Sequence, residues 1–274
     1  MLGEPDQRSR GASPASDALL FCTLVPLQID LNADVGEGSS DDAVLLRLVT
    51  SANVAAGFHA GDPSVLRETI RAAHAAGAAV GAHPGFPDRA GFGRREMTVT
   101  PREAEDFVLY QIAAVAGVAA AEGVRLRHVK PHGALYNLAA RDPALAGSIA
   151  RAIAACDSAL ILFGLPGSEL LKAGRAAGLR VAAEAFADRA YDADGSLVSR
   201  NTPGAVIHDV EAVVSRAIGM AKDKAVIAID GSMVRIDVDT ICVHSDTPGA
   251  ADLAARLRAG LEAAGVSVRA MGTF

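Results

Sequence analysis

From residue 27 onward, short apolar runs alternate with longer stretches whose apolar residues recur at helical spacing. The short runs predict strands over residues 27–32, 51–55, 79–82, 127–129, 159–163, 181–185, 225–229, 241–243 and 267–270. Repeated strand–helix units of this length predict a mostly parallel sheet, either closed or open. Since no linker divides the stretch, residues 27–274 are predicted to form a single α/β domain.

Helix boundary signals support this interpretation. Asp62 is a good N-cap, Pro63 suits the first helical position, and Gly77 is a matching stop signal. Thr100 and Glu103 have the spacing of a capping box, which predicts the start of a second, longer helix.

The first 26 residues differ from the rest of the chain. Residues 1–16 are rich in Gly, Pro, Ser and charge, so we expect residues 1–26 to be a disordered extension. Residues 18–27 mimic a signal peptide, but the run continues into the first strand without a small-residue cleavage pattern. No apolar run approaches the roughly 20 residues that cross a membrane. We therefore expect a cytoplasmic protein without a membrane partner.

Composition narrows the classes of function. The chain has 26 basic and 32 acidic residues, a net charge of −6, and only 4% aromatic residues. This balance disfavours a nucleic-acid partner, which calls for a clustered basic face. Three widely separated cysteines form neither a disulfide framework nor a thiolate zinc site, and Cys156 and Cys242 are most simply small core residues.

Ionisable and amide side chains follow the predicted strands. They are Asp30, Asn32, Asp34, Glu37, His59, Asp62, His83, Lys130, His132, Glu184, Arg189, His244 and Asp246. In a parallel α/β barrel the carboxyl ends of the strands meet at one face, where such enzymes build their active sites. Each residue alone has a structural explanation, such as helix capping for Asp62. Their coincidence at one predicted face favours an active site.

The residue types indicate acid–base chemistry. Carboxylates and imidazoles act as general acids and bases, and lysine and arginine stabilise anions. The chain lacks a phosphate-binding Gly-rich loop, a Rossmann glycine fingerprint and a Gly-x-Ser-x-Gly elbow. Asp34, His59 and His83 could bind a divalent metal, but no His-Glu-x-x-His helix is present, so a metal is possible rather than indicated. These residues alone point to a hydrolase-like barrel acting on a small polar molecule.

Seven motifs together resemble the LamB/YcsF family, understood as the A subunit of bacterial 5-oxoprolinase. They occupy residues 30–37, 53–63, 81–88, 91–95, 129–137, 186–191 and 241–250. The resemblance implies a distorted (β/α) barrel of the glycoside hydrolase and deacetylase type. It also implies ATP-dependent hydrolysis of 5-oxo-L-proline to L-glutamate, with Mg²⁺ accompanying ATP and with partner subunits of B and C type. Where ATP binds stays open.

A mechanism consistent with the resemblance begins with phosphorylation of the lactam oxygen. Lys130 and His132 are expected to face the developing negative charge. Asp34, His59 or Glu184 would activate the attacking water. Arg189 or Arg200 would hold the substrate carboxylate. The remaining predicted substrate contacts are Asp30, Asn32, Glu37, Asp62, His83, His244 and Asp246.

Two other functions fit the same residues. One is a metal-dependent deacetylase or amidohydrolase that works alone and needs no ATP. The other is a non-catalytic subunit that binds substrate and presents it to its partners. The density of ionisable groups argues against the second, because a binding pocket rarely contains so many.

Overall fold

A computed structural model of the chain describes Met1 and residues 27–200, 202–243 and 249–271. Residues 2–26 lie outside the described part, so the predicted disordered extension stays a prediction. The same holds for the predicted site residues His244 and Asp246.

The described residues form a parallel barrel surrounded by helices. The strands are β1 (Gln28–Val35), β2 (Ser51–Ala55), β3 (Ala79–His83), β4 (His128–Val129), β5 (Ile161–Gly164), β6 (Arg180–Phe186), β7 (Ala225–Ile227), β8 (Met233–Arg235), β9 (Thr240–Val243) and β10 (Ser267–Val268). Strands β1 to β6 lie side by side in chain order, and β9 pairs with both β6 and β1 to close a seven-stranded parallel barrel. Strand β10 pairs with the first residues of β1. The predicted α/β barrel is thus confirmed.

One predicted barrel strand is wrong. The apolar run over residues 225–229 supplies β7, which pairs antiparallel with β8 in a separate two-stranded ribbon. Asp230-Gly231 forms the turn between them, with Gly231 at φ +87°. Asp-Gly between two short strands is a hairpin signal. The strand that closes the barrel is therefore β9.

Eight helices lie in the described part of the chain. They are α1 (Asp42–Leu45), α2 (Pro63–Ala76), α3 (Pro101–Ala121), α4 (Gly133–Ala139), α5 (Pro143–Cys156), α6 (Glu169–Ala176), α7 (Val210–Lys222) and α8 (Ala250–Ala263). Asp62 caps α2 by accepting from the backbone of Ser64 and Val65, and Gly77 ends it in the left-handed conformation. The capping box of Thr100 and Glu103 is present at the start of α3. These predictions are confirmed.

The length of helix α3 does not agree with the expectation that no apolar segment is long enough to cross a membrane. Its 21 residues are long and apolar enough to do so by length and composition alone. However, Ala104, Val108, Ile112 and Val115 on one face are fully buried in the core. A helix that packs in the core of a protein passes the same test, so a single helix of this kind is weak evidence for a membrane span.

Strand β1 positions the site because its two faces differ. Leu31, Ala33 and Val35 belong to the apolar core. Asp30, Asn32 and Asp34 alternate with them, since successive side chains of a strand point to opposite faces. Asn32 reaches Glu184 on β6, so this polar face lies inside the barrel.

Candidate active site

Asp30 lies nearest the amino-terminal end of the polar face of β1. Its carboxylate accepts hydrogen bonds from the hydroxyls of Thr50 and Ser51, both at 2.7 Å, and of Thr240 at 2.5 Å. Burial raises the pKa of Asp30 to about 6 despite these hydrogen bonds. Both oxygens of Asp30 accept hydrogen bonds from hydroxyls. Asp30 therefore has a supporting role beneath the next set of polar side chains along the barrel.

The next set of polar side chains along the barrel interior, a layer one step closer to the carboxyl ends of the strands, consists of amides and a histidine. Asn32 donates through Nδ2 to Glu184 Oε1 at 3.0 Å and to Thr240 Oγ1 at 2.7 Å, and its Oδ1 accepts from Asn53 at 2.7 Å. His128 Nε2 lies 2.8 Å from Asn53 Oδ1, and burial lowers the pKa of His128 to about 3. A neutral His128 therefore donates to Asn53, and the layer links five barrel strands.

Lys130 is the cationic centre of the site. Its Nζ lies 2.8 Å from Glu184 Oε1, 3.0 Å from Asp34 Oδ1, 3.0 Å from Cys242 Sγ and 3.3 Å from Asn32 Oδ1. Burial lowers the pKa of Lys130, but the charge of Asp34, the contact with Cys242 and the charge of Glu184 outweigh burial and hold this pKa well above its usual value. The ammonium is thus a permanent cation whose contacts are with protein groups.

A second cluster contains one carboxylate and three imidazoles, which come from the carboxyl ends of β1 to β4. Glu37 Oε1 lies 2.8 Å from His59 Nε2, 3.3 Å from His132 Nδ1 and 3.6 Å from His83 Nε2. His83 Nε2 and His132 Nδ1 are 3.0 Å apart. One ligating atom from each residue lies within 4.8 Å of all the others, so this His/Glu cluster can hold a metal ion.

The pKa values within the His/Glu cluster are mutually dependent. Burial raises the pKa of Glu37, but close contacts with His132 and His59 and the charge of His83 outweigh burial and lower this pKa to about 2. Burial lowers the pKa of His59 to about 4 in spite of its hydrogen bond to Glu37. For His83, burial lowers the pKa and the charge of Asp34 raises it, with a net rise. The cluster therefore favours an anionic Glu37 and positive charge close to His83.

Two glycines allow the loops to pack against the imidazoles. A Cβ on Gly85 would lie 2.7 Å from His59 Nδ1. A Cβ on Gly93, which has φ +63°, would lie 2.8 Å from His59 Cβ and 2.9 Å from His132 Cδ2. The rings of His59 and His132 stack in parallel with centroids 3.8 Å apart. A larger residue at either glycine would displace this stack.

Two buried polar atoms near Lys130 have no hydrogen-bond partner among the described residues. They are the Tyr136 hydroxyl and Glu184 Oε2. Burial raises the pKa of Tyr136 well above its usual value, and the charge of Glu184 and its close contact with Tyr136 raise this pKa further. The two side chains therefore meet each other inside the barrel without a well-formed hydrogen bond.

Arginines gather beside the site. Arg189 is buried and donates to the backbone carbonyls of Val198 at 2.6 Å and Ala205 at 3.3 Å. Burial, together with the charges of Arg200 and Arg94, lowers the pKa of Arg189 to about 10. Arg94 also lies over the ring of Phe92, 5.0 Å from its centroid. This grouping of cations favours binding of an anion.

Comparison with known proteins decides the family. The model of the LamB/YcsF family matches residues 29–274. The chain belongs to the LamB/YcsF family. A relative from Tolumonas auensis, named as the A subunit of 5-oxoprolinase, is 54% identical over 89% of this chain and 99% of its own length. One from Chloroflexus aggregans with the same name is 56% identical over 89% of this chain and 98% of its own.

A solved structure confirms the LamB/YcsF fold. The crystal structure of the Lactam Utilization Protein from Thermus thermophilus is 48% identical, with a TM-score of 0.85. The alignment covers 89% of this chain and all of that one. The resemblance to the family that the motifs indicated is therefore confirmed.

Nine of the predicted site residues form one connected network in this LamB/YcsF chain. They are Asp30, Asn32, Asp34, Glu37, His59, His83, Lys130, His132 and Glu184. The exposed Asp62 caps α2, while Arg189 and Arg200 belong to the stretch that follows β6. The predicted ligand set for a metal changes, because Glu37 and His132 join His59 and His83, whereas Asp34 lies beside them. The assigned catalytic and substrate roles stay predictions.

Sequence reasoning missed several polar residues of the barrel interior. Cys242 contacts the Lys130 ammonium and His128 hydrogen-bonds Asn53, and neither was among the predicted site residues. Thr240 was not singled out. The available signal was strand alternation, because His128 stands two residues before Lys130 and Thr240 two before Cys242.

Proposed function

We propose that this chain hydrolyses 5-oxo-L-proline to L-glutamate at the expense of ATP, as the A subunit of a multi-subunit cytoplasmic 5-oxoprolinase. Magnesium would accompany ATP, and subunits of B and C type would complete the enzyme.

The observation that carries the proposal is the shared name of the relatives. Chains 54% and 56% identical, covered to 99% and 98% of their lengths, are named as the A subunit of 5-oxoprolinase. The name of the Thermus thermophilus structure, Lactam Utilization Protein, agrees, because 5-oxoproline is a five-membered lactam. The word subunit in the relatives' names supports an assembly with partner chains.

The chemistry explains the need for ATP. A lactam carbonyl is a poor electrophile, so transfer of the γ-phosphoryl group to its oxygen, with release of ADP, creates a better one. Water then adds to the carbon, the ring C–N bond breaks, and the nitrogen takes a proton, which leaves a glutamyl phosphate. A second water releases inorganic phosphate and gives glutamate.

The geometry supports a division of roles. Asp34 is the proposed general base, because its side chain is the most accessible carboxylate that contacts Lys130. Lys130 acts through Asp34, since its ammonium already meets four protein acceptors. The developing negative charge would be met at the His/Glu cluster, to which His132 belongs. Arg189 or Arg200 would hold the substrate carboxylate, and the buried Arg189 is fixed in place by its hydrogen bonds to two backbone carbonyls.

The test is ATP-dependent release of glutamate from 5-oxoproline. The chain is assayed alone and with its B- and C-type partners, in the presence and absence of ATP. We expect release only with ATP and all three chains. Release without ATP would contradict the proposed energy coupling, and no release in any combination would contradict the substrate.

A matched pair of variants tests the role of Asp34 in the assembled enzyme. Asp34→Asn should lower turnover by about 100-fold or more, the contribution of a general base. Asp252→Asn is the control, because that side chain lies on α8 and is 66% exposed. Near-normal turnover of Asp34→Asn would remove the proposed base and favour a substrate-binding role for the chain.

A second function is favoured by the His/Glu cluster. Glu37, His59, His83 and His132 also suit a metal-dependent amide hydrolase that works without ATP. That function predicts glutamate release by the chain alone, abolished by a chelator and restored by metal.

A further inference from the structure

We propose that the His/Glu cluster is a binding site for one divalent transition-metal ion, zinc foremost, with His83, His132 and Glu37 as fixed ligands and His59 as an exchangeable fourth. The ion is distinct from the magnesium that accompanies ATP, because magnesium prefers oxygen ligands and three of these four ligands are imidazoles.

The first argument concerns the tautomers of two histidines. His83 Nδ1 lies 2.7 Å from the Lys130 carbonyl oxygen, and His132 Nε2 lies 2.8 Å from the Phe92 carbonyl oxygen. A carbonyl oxygen only accepts, so each of these nitrogens carries a hydrogen. In the neutral rings, His83 Nε2 and His132 Nδ1 are then both lone-pair atoms.

These two lone-pair atoms face each other at 3.0 Å in a buried place. Two acceptors at that distance repel unless a positive species binds between them. Backbone acceptors that fix the second nitrogen of a histidine are the usual support of metal-ligating histidines. The backbone therefore presents both nitrogens in the form that a metal requires.

The choice between a proton and a metal follows from the other two residues. A proton on His83 Nε2 would satisfy His132 Nδ1 and the nearby Asp34 Oδ2, which lies 3.4 Å from His83 Nε2, but not Glu37. Glu37 Oε1 also converges on the same point, 3.3 Å from His132 Nδ1 and 3.6 Å from His83 Nε2. Ligands about 2.1 Å from a tetrahedral zinc ion are about 3.4 Å apart. The separations between these three atoms are close to this value.

His59 differs from the other ligands. Its Nε2 is 2.8 Å from Glu37 Oε1, but its buried Nδ1 has no hydrogen-bond partner among the described residues. It therefore lacks the backbone support that fixes His83 and His132. Catalytic zinc sites keep one position for water or substrate. We infer that a carbonyl or carboxylate oxygen, or water, can displace His59 from the ion.

The experiment measures metal binding by the full chain, without an oligohistidine tag and after dialysis against chelator. Titration calorimetry with zinc chloride, elemental analysis and the visible spectrum of the cobalt form are the readouts. We expect one ion per chain, bound with a Kd below about 1 μM. Cobalt should give the strong visible bands of tetrahedral coordination. A wild-type chain that binds no zinc below about 1 mM would overturn the proposal.

Variants separate the fixed ligands from the exchangeable one. His83→Ala and His132→Ala should each weaken zinc binding at least 100-fold, whereas His59→Ala should weaken it by about tenfold and alter the cobalt bands. His74→Ala is the control, because that histidine is exposed on α2. Unchanged Kd values in both fixed-ligand variants would overturn the assignment. The wild-type titration decides the matter if a variant does not fold.

The outcome is independent of the proposed hydrolysis. Metal binding is measured without ATP, 5-oxoproline or partner chains, so its failure leaves the 5-oxoprolinase proposal intact. Conversely, a metal-loaded chain that releases no glutamate with its partners would contradict the hydrolysis and leave the metal site standing.

Discussion

Replacement of Lys130 by methionine tests how much the central ammonium stabilises the barrel. Methionine keeps the aliphatic volume and removes the charge. Lys130 Nζ lies 3.0 Å from Asp34 Oδ1 and 2.8 Å from Glu184 Oε1, and the side chains of Lys130, Asp34 and Glu184 are 4%, 10% and 0% exposed. Removing one partner from a buried ion pair leaves an uncompensated charge and costs about 3–5 kcal/mol. Lys130→Met leaves two buried carboxylates without their cation, so we expect a loss of stability in the upper part of this energy range.

The assay is equilibrium unfolding in urea at pH 7. For a loss of about 4 kcal/mol and a slope of about 2–3 kcal/mol per molar urea, the midpoint should fall by roughly 1.5 M. Lys172→Met is the matched control, because Lys172 also contacts a carboxylate, Glu169, at 2.7 Å, but is 60% exposed. An exposed pair contributes no more than about 1 kcal/mol, so the control midpoint should change little.

A double variant makes the reasoning refutable. Glu184→Gln removes one of the two carboxylates that have lost their cation, and the new amide oxygen can still accept a hydrogen bond from Asn32. Lys130→Met with Glu184→Gln should therefore be more stable than Lys130→Met alone, a coupling that a double-mutant cycle measures. If Lys130→Met costs less than about 1 kcal/mol, or if Glu184→Gln adds to the loss, the ammonium does not stabilise the buried carboxylates as inferred.

Three further predictions follow from single contacts. Burial raises the pKa of Asp30 from 3.8 to about 6, so the folded chain holds a proton that the unfolded chain has lost, and it loses stability as the pH rises from about 4 to 7. Asp30→Asn should remove this loss, which is roughly 2.5 kcal/mol in urea unfolding between pH 4 and pH 7. Tyr136→Phe removes a hydroxyl that meets Glu184 without a well-formed hydrogen bond, so the free energy of unfolding in urea should change by no more than about 1 kcal/mol, and a larger loss would contradict this. Gly81→Ala places a Cβ 2.1 Å from His128 Nε2 and should cost about 1–3 kcal/mol in thermal unfolding, partly recovered by His128→Ala; no recovery would contradict the clash.

The barrel and most of its site could be predicted because local signals agree with the fold. The helix start at Asp62 and Pro63 and the capping box at Thr100 depend only on neighbouring residues. The gathering of ionisable groups follows from the geometry of parallel strands, whatever the precise strand bounds. The error at β7 arose because an apolar run of three to five residues does not reveal its partner strand.

What could not be predicted depends on distances across the barrel. Strand alternation places Thr240 and Cys242 on one face, but only the closed barrel brings Cys242 to 3.0 Å from Lys130 Nζ. Likewise, the sequence offers His59 and His83 as ligands, while the choice of Glu37 and His132 over Asp34 depends on loop conformations. The tautomers of His83 and His132 depend on two backbone carbonyls and leave no sequence signal.

Asp34 contacts both Lys130 and the His/Glu cluster, and this position explains its proposed role. Its Oδ1 accepts from Lys130 Nζ at 3.0 Å and from Asn53 Nδ2 at 2.8 Å, which fixes the carboxylate. Its Oδ2 faces His83 Nε2 at 3.4 Å. If Oδ2 takes a proton from water, the proton arrives next to the His/Glu cluster. Before this proton transfer, Lys130 stabilises the ionised form of the Asp34 carboxylate. We therefore expect the reacting bond to lie next to both Asp34 Oδ2 and the His/Glu cluster, so that Asp34→Asn lowers turnover even when metal binding is intact.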